Sequence, residues 1–132
     1  MDIARTIVMK TLSLLLLALF LTESVHGQQG GSCKGNRDLV GQCFKVHGRV
    51  RIVNGAGMVI WRIGTDRILR VEDADVFIPD NLSNAVSKKG DAYGRDIFGD
   101  FEVCPLSKSK PGEMQTVCVE TASHLVVREN TH

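Results

Sequence analysis

From Lys45 to Ile52 the chain alternates strictly: Val46, Gly48, Val50 and Ile52 on one parity, Lys45, His47, Arg49 and Arg51 on the other. Alternation of this kind marks a half-buried strand, because successive side chains point to opposite faces. The pattern predicts a strand with one apolar and one basic face. Asn54-Gly55 follows as a tight-turn pair, with Ala56-Gly57 lengthening the loop. Met58 to Ile63 reads as a second strand carrying Trp61, the only tryptophan. Its alternation partners are Val59 and Ile63, which assigns the indole to the core ahead of an exposed stacking platform. Gly64-Thr65 turns the chain into a third strand from Arg67 to Val71, completing an antiparallel meander.

The periodicity then changes. Glu72–Pro79 reads as a loop, acidic at Glu72, Asp73 and Asp75, with Val76, Phe77 and Ile78 against the core. Asp80 is placed to cap a helix in which Leu82, Ala85 and Val86 share a face. Lys88 and Lys89 suit the negative end of the helix dipole, and Gly90 offers a left-handed stop. After a second loop from Asp91 to Asp96, residues 98–106 and 114–121 form two strands around Ser107–Gly112, the last running to about Val127. Three strands, a helix and two strands is the element order of the five-stranded oligonucleotide/oligosaccharide-binding (OB) barrel. Gly48 suits the bend such a barrel needs in its first strand. The expected fold is therefore mainly β: a small five-stranded OB-like barrel, one short helix between strands 3 and 4, and two disulfides.

The stretch Cys43-Phe44-Lys45-Val46-His47-Gly48-Arg49, with Ile60-Trp61-Arg62-Ile63-Gly64-Thr65-Asp66-Arg67-Ile68-Leu69, resembles a family of small exported bacterial proteins of unknown function. Phe98-Gly99-Asp100-Phe101-Glu102-Val103-Cys104-Pro105 is similar as well. The resemblance covers most of the chain after residue 27. It implies no activity and carries over no functional residue.

Ahead of the barrel, Thr11 to Leu21 is an apolar run preceded by Arg5 and Lys10 and followed by small and polar residues. That is the order of a secretory signal peptide, and the run is well short of the roughly 20 residues needed to span a bilayer. Val25 and Gly27 place the cut after Gly27; an uncleaved anchor and a start at Met9 are the competing readings. The expected organisation is a signal peptide at 1–27, an N-terminal disulfide-closed segment at 28–42, the OB-like barrel at 43–128 and a tail at 129–132. The expected location is secreted or periplasmic, with no stable membrane insertion after cleavage.

Export changes the meaning of Cys33, Cys43, Cys104 and Cys118, since an even cysteine count in a short exported chain reads as disulfides. No C-x-x-C pair supports a zinc template. A hairpin centred on Pro111 sets Cys104 opposite Cys118, so that pairing is favoured and Cys33–Cys43 follows by elimination. The same register sets Glu102 against Glu120, a like-charge pair, unless the hairpin is slipped or bulged.

Removing residues 1–27 leaves 14 basic and 13 acidic side chains and a net charge still of +1. Near-neutrality argues against a dedicated nucleic-acid binder. Within the meander, however, Lys45, Arg49, Arg51, Arg62, Arg67 and Arg70 are opposed only by Asp66. The candidate ligand-binding set is Arg49, Arg51, Trp61, Arg62 and Arg67, whose guanidinium forks suit carboxylate or phosphate. Cross-strand ion pairing with Asp100 and Glu102 of the fourth strand is the competing use of these charges. His47 reads as a surface histidine, and His124 and His132 are scattered, so no catalytic set, metal site or cofactor is expected. The acidic loop lacks a calcium-loop order, and Asn81-Leu82-Ser83 is a glycosylation sequon relevant only to a eukaryotic secretory route. Two functions from different classes remain: an exported non-enzymatic binding module for an anionic polysaccharide or a protein, and a secreted protease or hydrolase inhibitor acting through the 107–113 loop.

Overall fold

A computed structural model describes residues 33–72, 74, 77–88 and 92–130. The predicted signal peptide and cleavage site, the end of the predicted tail, Asp73, Asp75, Val76, Lys89, Gly90 and Asp91 lie outside the described residues. Five strands form: β1 (Phe44–Val53), β2 (Gly57–Arg62), β3 (Ile68–Val71), β4 (Arg95–Pro105) and β5 (Gln115–Glu129), with helix α1 (Asp80–Ser87) between β3 and β4. They hydrogen-bond in the ring order β1-β2-β3-β5-β4, and β4 closes onto β1. Neighbours are antiparallel except β3 and β5, which run parallel. The expected mainly β fold, with five strands, one helix after the third strand and two disulfides, is the fold observed.

Val46, Val50, Ile60, Leu69, Phe101 and Val117 fill the barrel, and Leu82 and Ala85 of α1 belong to the same cluster. On β2 the inward parity is thus Met58 and Ile60, which turns Trp61 outward. The core assignment of Trp61 is therefore corrected: the indole is half-buried on the outer face, beside Val59, which cross-strand neighbours cover. Of the apolar residues before the helix, Ile78 packs against the core while Phe77 is exposed.

Asp80 does not cap α1. Pro79 occupies that position, with no side-chain cap bond, and Asp80 begins the helix. The other end is satisfied by Arg95, 2% exposed, whose Nη1 donates to the carbonyls of Ala85, Val86 and Lys88 at 3.4, 3.1 and 2.9 Å. Its Nε donates to Glu129 at 2.9 Å. Asn81, the sequon residue, donates its amide to the Ala122 carbonyl at 2.6 Å and so fastens α1 to β5.

Cys104 does face Cys118, as a Pro111-centred hairpin requires, but the two are not bonded. The disulfides are Cys43–Cys104 and Cys33–Cys118, with Cα separations of 4.0 and 5.7 Å. Cys104 lies on a strand flanked on both sides: β1 pairs Phe44 with Val103, so the adjacent Cys43 reaches Cys104 from the edge opposite Cys118. The turn Cys33–Gly35 lies against β5 and delivers Cys33 to Cys118. The predicted Cys33–Cys43 loop is thus replaced by two long-range staples, and residues 33–42 are tied to the barrel end. The like-charge clash is also absent. A register shift between Glu102 and Val103 sets Glu102 opposite Thr121, and Lys34 answers both acids, Nζ to Glu102 at 2.6 Å and its backbone N–H to Glu120 at 2.8 Å.

Candidate functional site

Strand register assembles one outward row around the barrel. Ile68 pairs with Trp61, Trp61 with Arg49, Arg49 with Phe98, and Phe98 with Val126, so the row crosses all five strands. The Arg49 guanidinium lies 4.4 Å from the Trp61 ring centroid, and that of Arg128 lies 5.2 Å from Phe98. Both distances are within cation–π range. Trp61 Nε1 donates to the Thr65 carbonyl at 2.6 Å, which fixes the indole. The row ends on open apolar surface, Ile68 at 42% and Val126 at 52% exposure.

The adjacent row is bound up internally. Arg51 donates Nε and Nη2 to the two oxygens of Asp96 at 2.7 and 2.9 Å, and Arg49 Nη1 lies 3.9 Å from the same carboxylate. Asp96 is 5% exposed. The Arg51 hydrogen bond holds its carboxyl below the ordinary carboxylate range, against burial acting the other way. Arg49 Nε is buried without a hydrogen-bond partner, so the indole face is the principal contact of that guanidinium. Cross-strand ion pairing therefore does use the β1 cations, through Asp96, while Asp100 and Glu102 take other partners.

The structure thus brings Arg49, Arg51 and Trp61 to one face and sets Arg62 and Arg67 apart. Those two share the core parity of their strands and pair at the β2–β3 turn, where Arg62 N–H donates to the Arg67 carbonyl at 3.0 Å. Arg62 lies 5.7 Å from the Phe44 ring, and Arg67 reaches Ser109 Oγ on the β4–β5 loop. That loop is braced at its base: Ser107 Oγ accepts from Thr116 N–H at 2.8 Å and the Ser107 carbonyl accepts from Gln115 Nε2 at 3.0 Å. Arg62, Arg67, Arg70 and Arg128 have no carboxylate partner among the described residues.

His47 is not an isolated surface histidine. Its Nδ1 lies 2.8 Å from Asp100 Oδ1, and His124 Nδ1 lies 3.0 Å from Oδ2 of the same carboxylate. The His47 contact, then that of His124, holds the Asp100 carboxyl below its usual range. The β1–β4 pairing sets His47 opposite Asp100, and that half of the cluster follows from the strand order. His124 joins it through an irregularity in β5 that alternation does not encode. Phe98 and Arg128 were likewise missed, because the belt becomes visible only when the ring of strands is closed.

No family model, curated protein or solved structure matches this chain.

Proposed function

We propose that the protein is an exported, non-enzymatic binding module that holds an anionic polysaccharide against the outer row Ile68–Trp61–Arg49–Phe98–Val126. The observation that carries the reading is the stacking of Arg49 on half-buried Trp61 within an outward row that ends on exposed Ile68 and Val126, bordered by Arg70 and Arg128, which have no carboxylate partner among the described residues. Aromatic surface contacts sugar rings and the guanidinium fork takes carboxylates or sulfates. The ring order and helix position support an OB-like barrel, in which the outer face of strands 2 and 3 is the usual binding surface. Two disulfides favour an oxidising compartment, and no helix among the described residues is long and apolar enough to cross a membrane.

The test is retention on an immobilised acidic polysaccharide at rising salt. Arg70→Glu combined with Arg128→Glu is expected to elute much earlier, because exposed charge contacts are screened by salt. Retention equal to that of the native protein would overturn the reading. Arg51 is unsuitable for this test, since its reversal would break the Asp96 pair and disturb the barrel itself.

The braced 107–113 loop favours the inhibitor as a second reading, because a preordered loop loses less entropy on docking. Protease or hydrolase inhibition lost on changing Ser109 and Lys110, but kept in the Arg70/Arg128 double variant, would select it.

A further inference from the structure

We propose that His47 and His124 bind a transition-metal cation of the Zn²⁺, Ni²⁺ or Cu²⁺ class through their Nε2 atoms, with Asp100 as the carboxylate that orients both rings. Each ring commits Nδ1 to a different oxygen of Asp100. With Nδ1 donating, Nε2 keeps its lone pair, which is the tautomer a metal requires. Metal-ligating histidines characteristically give their second nitrogen to a carboxylate or carbonyl in this way. Neither Nε2 has a protein partner among the described residues.

The backbone is distorted to bring the second histidine in. The register of β4 and β5 shifts between Phe98 and Asp100, so His124 and Leu125 both oppose Gly99. His124 sits at φ 52°, the only non-glycine in the left-handed region among the described residues. That conformation is costly for a residue with a side chain, and such strain concentrates at functional sites. Bulges similarly re-aim side chains beside sites.

Both imidazoles and Asp100 line one groove of about 420 Å³, to which Thr121 and Ser123 of β5 also contribute. The one other acid there, Glu102, is engaged by Lys34. Imidazole donors suit zinc, copper and nickel over calcium or magnesium. The only trio of cysteine, histidine or carboxylate ligand atoms within 4.8 Å of one another among the described residues is the disulfide sulfurs of Cys33, Cys104 and Cys118. His47, His124 and Asp100 do not bring three such atoms together, so the proposed site takes the two imidazoles as its protein ligands, and water would complete the coordination.

The full chain with its disulfides intact is titrated with zinc chloride, followed by calorimetry and by imidazole nitrogen resonances. One equivalent is expected to bind, shifting Nε2 of His47 and His124 together. His47→Gln, at an exposed position, is expected to abolish saturable binding while near-ultraviolet dichroism confirms the fold. Asp100→Asn is expected to weaken binding about 10–100-fold, and His132→Ala to leave it unchanged. Binding that survives His47→Gln, a shift confined to one imidazole, or no saturation with millimolar zinc would each overturn the proposal.

Discussion

Gly48 of β1 stands directly opposite Gly99 of β4, and the Phe101 ring fills the space that their missing side chains leave. A Cβ on Gly48 would lie 2.5 Å from Ile60 Cγ2, and one on Gly99 would lie 2.6 Å from Leu125 Cδ2 and 3.0 Å from the Ser123 carbonyl. Phe101 is 1% exposed, so it has nowhere to retreat. Gly48→Ala and Gly99→Ala are each expected to destabilise by about 1–3 kcal/mol through overpacking. Gly99→Ala is the slightly worse of the two, because the unyielding Ser123 carbonyl stands 3.0 Å from its Cβ, whereas the Trp61 carbonyl stands 3.2 Å from a Cβ on Gly48. Urea denaturation midpoints check this, and the double variant should depart from additivity through the shared Phe101.

Asp96 links acid stability to one ion pair. Its carboxyl is held below the ordinary value in the folded protein, chiefly by Arg51. Its contribution is therefore fully present above the unfolded-chain value of about 4 and is lost as pH falls through the depressed folded value. Asp96→Asn is expected to cost about 1–3 kcal/mol at pH 7, the scale of hydrogen bonds to a charged group. The lower half is favoured because Arg51 is partly exposed. The gap between native and variant melting temperatures should stay constant from about pH 5 to 8 and close below about pH 4.

The three features that sequence conveyed well were local. Alternation in Val46–Ile52 located β1, and the spacing of Leu82, Ala85 and Val86 located α1, because a buried face imposes its own period on the chain. The Pro111-centred register of Cys104 with Cys118 was legible for the same reason. The disulfide partners were not, because Cys43 arrives from the other edge of β4, a contact between strands far apart in sequence. Trp61 was misassigned because Val59, on its parity, is buried by cross-strand neighbours and so mimics a core position. His124 reached Asp100 only through the bulge at Gly99, which breaks the alternation on which such readings depend.

Arg95 replaces a conventional helix stop, and its removal should unfasten α1. It lies 2% exposed and serves three carbonyls at the end of the helix as well as Glu129. Arg95→Leu leaves those carbonyls unanswered in the interior, and a loss of about 3–5 kcal/mol is expected, as for breaking a buried charged network. Glu129→Gln removes only the exposed partner, 60% accessible, and is expected to cost less than about 1 kcal/mol. Hydrogen exchange separates the cases: α1 amides should lose protection in Arg95→Leu and keep it in Glu129→Gln.

The two staples predict a specific peptide map. Trypsin cleaves after lysine and arginine but not before proline, so Cys43 falls in Asp38–Lys45, Cys104 in Asp96–Lys108, Cys118 in Ser109–Arg128, and Cys33 in a peptide ending at Lys34. Mass spectrometry of the non-reduced digest is expected to find Asp38–Lys45 joined to Asp96–Lys108 and the Cys33 peptide joined to Ser109–Arg128. A species joining Asp96–Lys108 to Ser109–Arg128 would contradict the observed connectivity. The bonds close loops of 85 and 61 residues, and a chain-entropy account assigns each about 4–5 kcal/mol. Because that is comparable to the whole stability of a small domain, replacing either pair with serine should bring the melting temperature close to ambient. The Cys33–Cys118 variant should also release the Lys34 contacts to Glu102 and Glu120, seen as early exchange at the Lys34 amide, whereas the Cys43–Cys104 variant should open the β1–β4 seam beside Phe44.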